Sequence, residues 1–245
     1  MIYNEDMVLY NPWHGCHKIS DGCLNCYVYR IDEKYQRDAS IVTKNGTFNL
    51  PIRKNRQGNP TIATGEIVYT CFSSDFLVEE ADEWRKDVWK MMKERQDLTF
   101  IFLTKRIARL AKVLPEDWGE GYDNVIVGCT VENELQARLR LPIFLKLPLK
   151  HRNIICEPLL EGIDLSPYLS DKIELVLVGG ESGNEARICD YQWVLDIHKQ
   201  ATSRNIAFHY HQTGARLLKD GILYKIPRKN QSSQAHKANL DWSQP

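Results

Sequence analysis

The amino-acid sequence predicts an α/β fold: a partial or near-complete TIM-like (β/α) barrel of six or seven mainly parallel strands. Three observations point there. Short apolar runs rich in β-branched and aromatic residues recur along the chain, and amphipathic stretches long enough to cross back over a sheet lie between them. Polar and charged residues cluster just past the runs, where strands give way to helices. An open doubly wound sheet is the alternative that the same alternation allows, although six or seven βα units exceed what most open sheets of this size use.

A short strand near residues 7–10 can come first. Apolar runs follow at 67–71 (IVYTC), 98–103 (LTFIFL), 125–129 (VIVGC), 154–156 (IIC), 175–178 (LVLV) and 206–210 (IAFHY). Their lengths and composition suit strands buried on both faces. Helices are expected over 79–95, 132–147 and 191–204. Residues 43–64 interrupt the alternation with Gly46, Pro51, Gly58 and Pro60 and with basic Lys44, Arg53, Lys54 and Arg56, which reads as a lid or a flexible loop. One domain is therefore expected over 1–221, with a polar insertion at 43–64. Residues 222–245, with Lys225, Arg228, Lys229 and Lys237, read as a basic, partly ordered tail.

Composition narrows the classes. The chain has 245 residues, 32 basic and 32 acidic, so strong nonspecific attraction to polyanions is not implied. Apolar residues make up 43%, enough for a full core. No run of about 18 uncharged apolar residues suggests a membrane span, and the start MIYNEDMVLYNPW lacks the basic-then-apolar pattern of a signal peptide. A cytoplasmic protein is expected. Seven cysteines is an odd number, which favours metal, cluster or chemistry over disulfides.

Cys16, Cys23 and Cys26 fall within eleven residues as C-x6-C-x2-C, with Gly15 and Gly22 placed to let the loop curl. Two metal readings follow. A closed zinc site takes the three cysteines with His14 or His17. A [4Fe–4S] cluster held by three cysteines leaves one iron open to a cofactor or substrate. The second is preferred, because a structural zinc knot beside the first strand has little to stabilise.

The predicted strand ends supply the rest of the site. They carry Ser73, Ser74 and Asp75; Thr104, Lys105 and Arg106; Cys129, Glu132 and Asn133; Cys156 and Glu157; Gly179, Gly180 and Glu181; and His209, His211 and Gln212. Each has a bland reading as a cap, a turn or a packing residue, and the pair His209 and His211 shares one strand face. Their coincidence on one rim points to a polar, charged ligand.

The opening NPWHGCHKISDGCLNCY, with SSDF at 73–76, LTKR at 103–106, TVEN at 130–133, CEPLL at 156–160, VGGESG at 178–183 and HQTG at 211–214, resembles a bacterial and phage family of unknown function with a three-cysteine motif. That family is regarded as similar to radical S-adenosylmethionine enzymes. The resemblance implies a [4Fe–4S] cluster on Cys16, Cys23 and Cys26, with bulky Tyr27 beside it, and S-adenosylmethionine chelated to the open iron. It implies an electron donor such as flavodoxin or ferredoxin. The radical enzymes space their cysteines C-x3-C-x2-C, so only Cys23-x2-Cys26 matches directly. Their Gly-Gly-Glu element follows the second strand, whereas Gly179-Gly180-Glu181 here follows the sixth; Asp75 is the candidate at the second. His211 and Thr213 stand where many relatives carry lysine and tryptophan.

On this reading Glu132, Glu157 and Lys105 are the catalytic candidates. Ser73, Ser74, Asp75, Arg106, Asn133, Gly179, Gly180 and Glu181 are the cofactor-binding candidates, with Asp75 or Glu181 meeting the methionyl ammonium and Lys105 or Arg106 a carboxylate or anionic substrate. The basic residues of 43–64 and of the tail, with Phe48 and Tyr224, point to a nucleic-acid or nucleotide substrate. A partner protein is also allowed for. The rival reading is a zinc-stabilised α/β binding protein, without catalysis, that recognises nucleic acid through the same loops.

Overall fold

The computed structural model describes residues 7–243. In chain order its strands are β1 (Val8–Tyr10), β2 (Trp13–His14), β3 (Thr43–Lys44), β4 (Ile67–Thr70), β5 (Thr99–Thr104), β6 (Val125–Thr130), β7 (His151–Cys156), β8 (Leu175–Gly179), β9 (Cys189–Asp190), β10 (Ala207–Gln212), β11 (Arg216–Lys219) and β12 (Ile222–Lys225). The helices are α1 (Tyr27–Lys34), α2 (Asp82–Glu94), α3 (Leu110–Val113), α4 (Glu134–Phe144), α5 (Tyr191–Ser203) and α6 (Arg228–Lys237).

All seven predicted strands join one parallel sheet, ordered β1-β4-β5-β6-β7-β8-β10. Successive strands of that sheet are neighbours, without the reversal of order that defines a doubly wound fold. Registers pair Val8 with Val68, Ile67 with Thr99, and Asn153 with Leu175, and the β10–β8 ladder shifts between Tyr210 and Gln212. Every residue of β8 is buried, which explains its unbroken apolar sequence. No helix among the described residues is long and apolar enough to cross a membrane.

The chain divides into two compact units. The first comprises Met1–His17, Ile31–Gly128 and Leu147–His151. Its centre is aromatic: Phe76 stacks on Phe102 at 4.3 Å between centroids and meets Trp13 at 5.6 Å and Trp89 at 4.9 Å. Arg85, buried among them, donates to the carbonyls of Phe76 and Val78 and to Asp82, so its charge is satisfied.

The 43–64 insertion is anchored at both ends rather than loose. β3 pairs with β2, the buried Phe48 accepts a 2.6 Å hydrogen bond from Tyr10 on its carbonyl, and Arg95 donates to the carbonyls of Pro51 and Ile62. Its longest fully exposed run is residues 52–61.

The second unit comprises Lys18–Arg30, Cys129–Lys146 and Arg152–Pro245. Besides its share of the main sheet it holds a small sheet ordered β12-β11-β9. The segment after Gly221, expected as a partly ordered tail, forms β12 and α6 instead. Gln231 and Ala235 bury one side of α6, and Trp242 exchanges backbone hydrogen bonds with Phe208 of β10. The last two residues of that tail, and the first six of the segment read for a signal peptide, lie outside the described residues.

Candidate functional site

In the first unit the strand ends converge on Cys16. Gly15, at φ +91°, lets the chain pass so close to Ile41 that a Cβ would stand 2.3 Å from its carbonyl oxygen. Ser73 and Ser74 hold this approach: Gly15 N donates to Ser73 O at 3.2 Å, and the Ser74 hydroxyl donates to Gly15 O. Cys16 Sγ then lies 3.4 Å from Arg106 Nη1, and Arg106 Nη2 donates to His17 O at 2.6 Å.

Asp75 organises that arginine. Its carboxylate accepts from Thr104 Oγ1 at 2.7 Å, Leu77 N at 2.9 Å and Lys105 N at 3.0 Å, and lies 3.3 Å from Arg106. These four contacts tie the Asp75 carboxylate to neighbouring groups and to the arginine. Lys105 is half-buried, and its ammonium forms no ion pair or hydrogen bond among the described residues.

In the second unit two buried carboxylates clamp the loop that carries Cys23 and Cys26. Glu132, 0% exposed, accepts from the Ser20 hydroxyl and from Gly22 N at 3.2 Å through one oxygen, and from Arg140 at 2.7 Å through the other. Gly22 must be glycine for this, because a Cβ would stand 2.9 Å from the Glu132 carboxyl carbon. Glu181, 5% exposed, accepts from Asn25 Nδ2 at 3.0 Å and from the backbone and guanidinium of Arg187, which also donates to Asp21 O at 2.9 Å. Burial pushes the Glu181 carboxyl up, but the Arg187 and Asn25 hydrogen bonds outweigh it and hold the group below its ordinary value. Glu132 and Glu181, expected at a substrate or cofactor, thus meet the cysteine loop.

Glu157 stands apart from the clamp. Gly179 leaves room for it, since a Cβ there would fall 2.6 Å from its carboxyl carbon. Its Oε2 lies 2.8 Å from His211 Nδ1, and its Oε1 accepts from Gln212. Burial opposes ionisation of both partners, yet their attraction prevails: Glu157 is held low and His211 raised. His209, on the same face of β10, faces Asp241 at 3.1 Å, and burial lowers its basicity. The remaining candidates are local. Asn133 caps α4 by accepting from Gln136 N at 2.9 Å, and Gly180 allows Thr213 O to approach to 2.4 Å from where a Cβ would be.

The sequence did not single out Ser20, Asn25, Arg140 or Arg187 for this clamp. Asn25 and Glu181 are 156 residues apart, so no local pattern links them. The only available signal was that Ser20 and Asn25 flank the cysteines.

The seven cysteines are all free and fall into two groups. Cys71, Cys129, Cys156 and Cys189 are buried; burial pushes the thiols of Cys71 and Cys156 upward and that of Cys189 to about 12, so these stay protonated. Cys16, Cys23 and Cys26 are half-exposed. Among the described residues, no group of three or more His, Cys, Asp or Glu stands ready to hold a metal ion. The donor chemistry of the three thiols fits a metal or cluster all the same: they are soft, unpaired with one another, within reach of solvent, and carried on segments held by neighbouring side chains. His14 Nε2 lies 2.6 Å from Asp32, and His17 Nε2 meets Glu80.

Fold and site together define a mixed α/β protein with a seven-stranded parallel sheet and a segment of half-exposed cysteines. A family model described as "Protein of unknown function (DUF5131)" matches residues 4–241, and the chain belongs to that family. No curated protein and no solved structure matches the chain.

Proposed function

We propose that the protein is a radical S-adenosylmethionine-type iron–sulfur enzyme on a TIM-like partial barrel, with Cys16, Cys23 and Cys26 as the ligands of a [4Fe–4S] cluster. The observation that carries this reading is the division of the cysteines, four sealed in the core and three half-exposed on segments that buried charges hold in place. When bound, the cluster supplies the electron for reductive cleavage of S-adenosylmethionine. An electron donor such as flavodoxin or ferredoxin, and a cytoplasmic setting, belong to the same proposal.

This chain's residues then have distinct tasks. Glu132 and Glu181 fix the Cys23–Cys26 loop through Ser20, Gly22 and Asn25. Asp75 aims the Arg106 guanidinium at the Cys16 sulfur, where positive charge favours thiolate. Lys105, whose ammonium has no partner among the described residues, receives a carboxylate or an anionic substrate. Glu157 holds the His211 Nδ1–H and favours the imidazolium, whose other proton, at Nε2, is the one to transfer at the substrate. The substrate is a nucleotide or nucleic acid, met by the exposed basic tip of the 43–64 insertion.

The test compares wild type with Cys23→Ala, both purified without oxygen and supplied with a reductant. Wild type is expected to bind iron and to release methionine and 5′-deoxyadenosine in equal amounts. The variant should do neither while keeping its circular dichroism. Wild-type iron content in the variant would contradict the assignment. The zinc reading has one observation of its own, since His14 and His17 each present one ring nitrogen to a carboxylate, which orients an imidazole for a metal on the other. Metal analysis separates the two.

A further inference from the structure

The second unit contains an open pocket of about 460 Å³ edged by Gly183, Arg216, Lys225 and Pro227. We propose that it is a binding site for a phosphoryl group, carried by a nucleotide or by the end of a nucleic-acid strand. The inference does not rest on the iron–sulfur reading: it uses none of the cysteines, and its test reads binding rather than turnover.

Unpaired positive charge is the central observation. Arg216 and Lys225 are direct cross-strand partners on β11 and β12, so both side chains leave the same face of the hairpin. Like charges in that position repel. Neither forms an ion pair or side-chain hydrogen bond among the described residues, and Arg216 Nε is buried with no acceptor. A third cation adjoins them. Arg30 lies over Gly183 so closely that a Cβ there would fall 1.3 Å from its Nη1, and its Nε is also buried without an acceptor; among the described residues its guanidinium meets the Ser182 hydroxyl, at 3.2 Å.

Four other arginines are treated differently. Arg85, Arg95, Arg140 and Arg187 each meet a carboxylate. At the pocket the exposed Glu185 on the same loop takes up no such pairing among the described residues.

Helix α6 adds to the field. It starts at the pocket edge with Pro227 as its cap, no capping side chain and no acid in its first turn, so the positive end of its dipole is uncompensated. Orphaned guanidinium donors and a helix N-terminus suit a tetrahedral dianion, which accepts several charge-assisted hydrogen bonds at once. The volume is in the range of small-molecule sites, so a nucleoside attached to the phosphate has room.

The full chain is titrated with inorganic phosphate, AMP and a 5′-phosphorylated oligonucleotide in phosphate-free buffer, alongside the Arg216→Gln/Lys225→Gln double variant. Wild type is expected to bind AMP or the oligonucleotide in competition with inorganic phosphate. The double variant should bind about 100-fold more weakly, about ten-fold for each charged contact removed. In phosphate-free buffer it should unfold at the same or a higher temperature, because the cross-strand repulsion is gone. AMP binding alone identifies a free nucleotide as the source, and displacement of AMP by the oligonucleotide identifies a strand end. The proposal is overturned if none of the three probes binds wild type at millimolar concentration, if the double variant binds as tightly, or if that variant unfolds markedly earlier.

Discussion

Two stretches of the second unit, two residues apart after β8, handle charge in opposite ways. At Glu181 a buried carboxylate meets Arg187 and Asn25, and Glu132 likewise meets Arg140 and the cysteine loop. At Gly183 the surroundings reverse: Arg30, Arg216 and Lys225 form no ion pair among the described residues. Burying a charge is costly unless it is paired and hydrogen-bonded. The first arrangement satisfies that requirement from within the chain and so holds a loop in place. In the second, Lys225 is exposed to solvent, while the buried Nε atoms of Arg30 and Arg216 have no acceptor among the described residues and are open to one from outside.

The comparison is most strongly tested at Glu132. Glu132→Ala leaves Arg140 buried and unpaired, and should cost about 3–5 kcal/mol in urea unfolding. A cost near zero would mean that the clamp is not structural. Gly22→Ala forces a methyl group against the Glu132 carboxylate that Arg140 holds, and should cost about 1–3 kcal/mol while lowering metal retention by the cysteine loop. On the unpaired side the sign changes: Arg216→Gln should stabilise the ligand-free protein by about 0.2–1 kcal/mol by relieving repulsion from Lys225.

The paired side also carries a pH signature. Glu181 and Glu157 ionise more readily when folded, so their stabilisation is present above the unfolded carboxyl value of about 4.3 and is lost as pH falls through their folded values. His211 is raised by Glu157, so its contribution is complete below about 6.5 and is lost as pH rises through the folded value. Unfolding temperature against pH should therefore decline on both sides. Glu181→Gln should flatten the acid limb alone, and His211→Gln should weaken the alkaline limb and that part of the acid limb which Glu157 owes to it.

These contrasts also mark what was legible in the sequence. The seven strands were readable because buried parallel strands are continuous apolar runs, and α2 and α5 lie within a residue or a turn of the predicted stretches. β7 begins at His151, three residues before its apolar run, because Arg152 and Asn153 are buried polar residues that break the pattern. β12 and α6 were hidden by their charge and exposure, since Ile222–Lys225 is exposed along its whole length.

At the site the sequence marks the strand-end residues, and the fold adds which side chains they meet. Asp75 and Arg106 were identified separately, and only the fold shows the carboxylate setting the arginine beside Cys16. Glu132 looked like a free acid because its partners, Ser20 and Gly22, lie more than a hundred residues earlier. Arg216 is not singled out by the sequence, and Lys225 counts there only as one basic residue of the tail; that they stand opposite each other in a hairpin is visible only in the fold.

The central claim is that the three half-exposed cysteines hold a [4Fe–4S] cluster. It is tested most directly by metal and sulfide analysis, with a visible spectrum, of protein purified without oxygen. Brown protein with about four iron and four sulfide per chain is the predicted result. Colourless protein carrying about one zinc per chain would contradict it.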